Sequence, residues 1–185
     1  MWCDNCLLLL PLRTGAMAWA VVIFVYSLAG GLFMLLDGHY FFFLYPEWYI
    51  YGGIGIGVAV LALLNAIALS NRSYIWTRAC KFLWIFVIII SAVRATLIIV
   101  QLQRGKDKII WECNHGGQVW TSNAEYAAKS SFPVGFCSAG FNSLNTAFII
   151  SLLVDLVFQM YMFFLDWRYQ RRLERYDLVK TSSGE

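Results

Sequence analysis

Charge is what this chain has least of. Asp, Glu, Lys and Arg make up 14% of its 185 residues, against roughly 25% in a soluble domain. So little polar surface cannot coat a water-soluble globule of this size. Histidine is almost absent, with only His39 and His115; both fall outside the expected spans, two spans apart. No catalytic set can be assembled from them, so the chain reads as non-enzymatic. Metal ligands are equally thin. Cys3-x-x-Cys6 is half a zinc site, and structural zinc takes four ligands. No metal, cofactor or nucleic-acid partner is expected.

What is present is apolar, 60% of the chain, and it is concentrated in blocks. Hydrocarbon offers backbone N–H and C=O groups no partner, so a block of about 20 apolar residues reads as a membrane-spanning helix. Four are marked: 15–36, 50–70, 82–102 and 144–165. The fold class expected is all-α, four transmembrane helices in an antiparallel bundle. Loops at 37–49, 71–81 and 103–143 connect them, with an N-terminal segment 1–14 and a basic tail 166–185. Tyr45, Trp48, Tyr49, Trp167 and Tyr169 lie near span ends, where amphipathic rings favour the headgroup zone. Leu7 to Leu12 imitates a signal peptide, but Asp4 precedes the apolar run and Arg13 follows it, the reverse of a signal's charge order.

Basic residues orient the bundle. The side holding both termini carries Arg13, Arg72, Arg78, Lys81, Arg168, Arg171, Arg172, Arg175 and Lys180, against Arg104, Lys106, Lys108 and Lys129 opposite. This excess predicts cytosolic termini. Cys113 and Cys137 then fall in the outer loop, where disulfides persist, and a bridge between them is expected. It would close a loop of about 25 residues and add on the order of 3 kcal/mol in the chain-entropy picture. Cys3 and Cys6, beside the bilayer, suit S-acylation. Asn71-Arg72-Ser73 is a glycosylation sequon on the side assigned to the cytosol, so glycosylation there would invert the topology. Tyr176-Asp177-Leu178-Val179 has the Tyr-x-x-bulky-apolar form of a sorting signal.

Two charges fall inside the spans. Arg94 and Asp155 would each cost roughly 2.5–3.5 kcal/mol alone. At 1.5 Å rise per residue, Arg94 stands about 18 Å above Phe82 and Asp155 about 15 Å above Leu165. The depths match, predicting an ion pair. Ser151, Asp155 and Gln159 share one helix face, and Ser91, Arg94, Ile98 and Gln101 another. One acid and one base alone favour a structural role that fixes helix register, over a substrate or proton path. Ala16, Ala20, Ser27 and Gly31 on the first span, and the Gly53-x-x-x-Gly57 pair on the second, are the expected close-packing faces.

The Cys-bearing start leading into Arg13-Thr14-Gly15, the four spans, the cystine-capable third loop and the exit Met160-Tyr161-Met162 to Trp167-Arg168-Tyr169 resemble the lysosome-associated transmembrane protein family. Small fungal four-span proteins of unassigned function are similar as well. The resemblance implies an endomembrane protein acting through partners. Six residues separate Cys6 from Arg13, and the chain has no Pro-Pro-x-Tyr motif, so the family's ligase-adaptor role is not carried over. Three functions follow as expectations. The first is a non-enzymatic protein of the lipid bilayer that organises, traffics or regulates partner membrane proteins or lipids, with another membrane protein or a homo-oligomer as the expected partner. The others are a small oligomeric transporter or channel using Arg94 and Asp155, and an accessory subunit of a lipid-modifying enzyme. The compartment expected is an endomembrane (vacuole or lysosome, Golgi, ER) or the plasma membrane.

Overall fold

A computed structural model describes residues 5–6, 10–38, 46–71, 74–114 and 140–182. Two short strands, β1 (Asn5–Cys6) and β2 (Leu10–Pro11), pair antiparallel ahead of the helices. Helices α1 (Leu12–Asp37), α2 (Glu47–Ser70), α3 (Tyr74–Arg104), α4 (Lys106–Asn114) and α5 (Phe141–Ser182) follow. Four of them, α1, α2, α3 and α5, are long and apolar enough to cross a membrane. The chain is a multi-pass integral membrane protein built on a four-helix apolar bundle.

Its radial pattern is the one lipid requires. Val25, Leu36, Phe86, Ile89 and Val157 all stand more than half exposed on the outside, where acyl chains can cover them. The interior adds polar groups to its apolar packing, among them Asn65, Ser91, Asp155, Gln159 and Asp166. Association of helices in a membrane draws on packing and interhelical hydrogen bonds, because lipid tails are as apolar as leucine.

α1 packs most extensively on α2, and α3 on α5. At one end Arg13 Nε donates to the Leu69 carbonyl at 3.0 Å, and its Nη2 donates to that of Ser70. Arg13 thus satisfies the orphan carbonyls at the end of α2. Mid-bundle, Gly31 meets Gly52 and Gly55 so closely that a Cβ on Gly55 would stand 2.9 Å from Gly31 Cα. Ala16, Ala20, Ser27 and Gly31 are all buried.

The expected Gly53–Gly57 packing face is corrected. Neither residue has a neighbour within 4 Å of its ideal Cβ, and both are exposed. Successive helical residues turn by about 100°. The inward face of α2 therefore runs through Gly52, Gly55, Ala59, Ala62 and Asn65, and the Gly-x-x-x-Gly pair points away from α1. That pattern could be drawn through either glycine set, and the sequence alone does not choose between them.

The disulfide is corrected to a narrower statement. Among the described residues no bridge is closed between two cysteines, and Cys80 is a free, buried thiol. Cys113, half-buried near the end of α4, is disulfide-bonded, but the expected partner Cys137 lies outside the described residues. Helix also occupies stretches the sequence marks as loop. α3 begins at Tyr74, and α5 runs 42 residues through the basic segment. Backbone groups beyond the lipid are satisfied as well by continuing the helix as by water, so helix limits and membrane limits need not coincide.

Candidate functional site

The bundle interior contains two apolar clusters. One, including Ala16, Ile23, Trp84 and Met162, fills the end near the start of α1; the other, including Met34, Trp48, Ile98 and Leu152, fills the opposite end. Arg94 and Asp155 meet at the seam between them. Arg94 Nη2 lies 3.1 Å from Asp155 Oδ2, with both side chains nearly buried. The expected ion pair is formed.

Each charge has neutral support. Ser27 Oγ donates to Asp155 Oδ1 at 3.3 Å, and Gln159 Nε2 donates to Oδ2 at 3.0 Å. Arg94 Nη1 donates to the Tyr51 carbonyl of α2 at 3.3 Å. It reaches that carbonyl over Gly55, where a Cβ would stand 3.1 Å from Nη1. One glycine thus serves both the α1–α2 contact and the arginine's path. The site joins all four long helices: Ser27 from α1, Tyr51 and Gly55 from α2, Arg94 from α3, and Asp155 with Gln159 from α5. A buried pair is tolerated when the remaining lone pairs and protons are satisfied too. Here one is not: Arg94 Nε is buried without a hydrogen-bond partner.

The pair is not sealed in packing. Arg94 and Asp155 line a cavity of about 80 Å³ between α1, α3 and α5, with Tyr26, Ser27, Met34 and Ser151 among its other walls. Tyr26 Oη reaches the Ser151 carbonyl at 2.9 Å, bridging α1 to α5 beside the opening. Water needs about 10–15 Å³ of such space, whereas drug-sized ligands occupy roughly 300–1,000 Å³. The cavity suits several waters or a small ion.

A second acid inside the bundle was missed in the sequence. Asp166 falls one residue beyond the expected fourth span, yet it is completely buried, as is Asn65 of α2. Asn65 Nδ2 donates to Asp166 Oδ2 at 2.8 Å. The signal was available: Asp155, Gln159, Met162, Asp166 and Gln170 recur at three-four spacing, so the inward polar face of α5 continues past the span. Gln170 Nε2 in turn donates to Glu174 Oε1 at 3.1 Å. Toward the other end of the bundle, Gln101 Nε2 approaches Glu47 Oε2 at 3.5 Å.

Compared with family models, with curated proteins and with solved structures, the chain matches none. The resemblance to the lysosome-associated family therefore gains no support beyond a four-helix membrane architecture. The other sequence candidates do not join the site. Cys3 lies outside the described residues, as do the side chains of Cys6, Tyr176 and Val179. Among the described residues no group of three or more His, Cys, Asp or Glu side chains could hold a metal.

Proposed function

We propose that this chain is a small transporter or channel subunit in which Arg94 and Asp155 line the path of water or a small ion. The observation that carries this reading is the cavity beside the pair. A pair that only fixed helix register would gain from being packed over, whereas this one borders open space and leaves Arg94 Nε without a partner. The cavity's size supports a small ion, not a metabolite. The proposal places the bundle antiparallel with cytosolic termini, following the basic-residue excess, so the cavity lies in the outer half. Four helices enclose little space, and a homo-oligomer is part of the reading. A role in organising or trafficking partners, or as an accessory subunit of a lipid-modifying enzyme, rests on the sequence alone.

The experiment is flux into vesicles carrying the purified protein, compared with protein-free vesicles. The Arg94→Asp, Asp155→Arg double variant is expected to fold and to lose at least tenfold in flux. Full flux through the exchanged pair would return it to a structural role, and absence of flux in the wild type would remove the transport reading altogether.

A further inference from the structure

Asp166 differs from Asp155 in having no cation. Among the described residues no Lys or Arg pairs with it. Its Oδ2 accepts from Asn65 Nδ2, while its Oδ1 is buried and unpartnered, and so is Asn65 Oδ1. The two unsatisfied atoms are both acceptors, one on each member of a hydrogen-bonded pair. An ionised carboxylate would leave the Asn65 oxygen without a donor, and its own Oδ1 with only the indole N–H of Trp84 to draw on. A single proton supplies what is missing, since a carboxylic acid can donate to the amide oxygen while accepting from the amide nitrogen.

We infer that Asp166 carries a proton at neutral pH and forms with Asn65 a reciprocal acid–amide pair, a proton-binding site inside the bundle that exchanges with water through Gln170. The surroundings fit a neutral acid. From α3 come the indole of Trp84, at the carboxyl, and the free, buried thiol of Cys80, close enough to feel its charge. The indole N–H is buried and completes no hydrogen bond. α2 contributes Asn65. The nearest cation placed on α1 is Arg13, whose guanidinium is committed to the Leu69 and Ser70 carbonyls. On α5 itself the titratable groups that follow are the buried phenol of Tyr169, the arginines Arg168, Arg171 and Arg172, none of them paired with Asp166, and Glu174 two turns away.

The route to water is short. Gln170, one turn beyond Asp166 and almost buried, reaches both Tyr74 Oη at 3.5 Å and Glu174. These three side chains, with Arg78, Lys81 and Arg171, border an opening of about 280 Å³ between α3 and α5. The inference is independent of transport through the Arg94–Asp155 cavity. The rival is an ionised Asp166 taking its second hydrogen bond from Trp84 or a water, which leaves Asn65 Oδ1 unsatisfied.

Infrared spectroscopy of the full chain in lipid vesicles, labelled with aspartate carrying ¹³C in its carboxyl group, separates the two. At neutral pH the wild type should show the carbonyl stretch of a protonated, labelled carboxylic acid that shifts in D₂O. Asp166→Asn should abolish that band, and Asp155→Asn should leave it. If Asp166→Asn does not fold, Asp166→Glu keeps an acid at the site but removes it from the labelled set, so the labelled band should again vanish. Absence of the band in the wild type, or its survival in these Asp166 variants, overturns the inference. In Gln170→Leu the band should remain while its D₂O shift slows at least tenfold; an unchanged rate overturns the route.

Discussion

Asp155 and Asp166 stand on one face of one helix, about three turns apart, and the bundle treats them in opposite ways. Asp155 meets a guanidinium, a hydroxyl and an amide from three helices and borders a cavity. Asp166 meets one amide, has no cation, and lies buried beside the indole of Trp84. The same side chain is ion-paired where a counter-charge answers it, and is proposed to be neutral where no cation does. Burial alone does not set a carboxyl's state; it counts against whatever cations and donors answer the charge.

That contrast can be broken from either side. Asp155→Leu should have the largest effect, because it strands Arg94 beside apolar neighbours. Breaking a buried pair costs about 3–5 kcal/mol, read as a lowered unfolding midpoint in detergent, while Arg94→Leu combined with Asp155→Leu should recover most of the loss. A double variant as unstable as the single one would show that the charges support more than each other. Asn65→Leu comes next. It deprives Asp166 of its donor and should cost about 1–3 kcal/mol by the same measurement.

Gly55→Ala tests the shared glycine. Its new Cβ meets backbone on α1 and the arginine tip together, and overpacking of this kind costs about 1–3 kcal/mol. A neutral outcome would mean that α1 moves freely on α2. The smallest effects should come from Asp166→Asn and Gly53→Ala. The first replaces a proposed neutral acid by its neutral isostere and should change stability by less than about 1 kcal/mol, within the range of ordinary surface substitutions or little above it. The second meets open space and should be neutral or stabilising by up to about 1 kcal/mol through helix propensity. A loss at Gly53 would instead reveal a contact with another copy of the chain.

Much of this was legible in the residues. Apolar block length gave four helices because lipid leaves a backbone no other way to satisfy its polar groups. Equal depth along two helices brought Arg94 to Asp155, and helical periodicity put Ser27, Ser91 and Gln159 on inward faces. Asp166 was hidden by its position. A carboxylate at the end of an apolar block, followed by Trp167 and Arg168, reads as the start of an aqueous tail, and only the continued polar spacing hinted otherwise. The glycines of α2 were ambiguous for a simpler reason, since the run from Gly52 to Gly57 presents glycine on several faces at once.

The sequence by itself determined that the chain lives in a membrane, how many times it can cross, and which two charges must find each other there. Hydrophobic length and the cost of a lone intramembrane charge allow few alternatives. Only the tertiary structure decided what those charges border and which other acid joins them in the interior. A cavity is the space several helices fail to fill, and the burial of Asp166 depends on Asn65 and Trp84 from two other helices. Neither property belongs to any one segment of the chain.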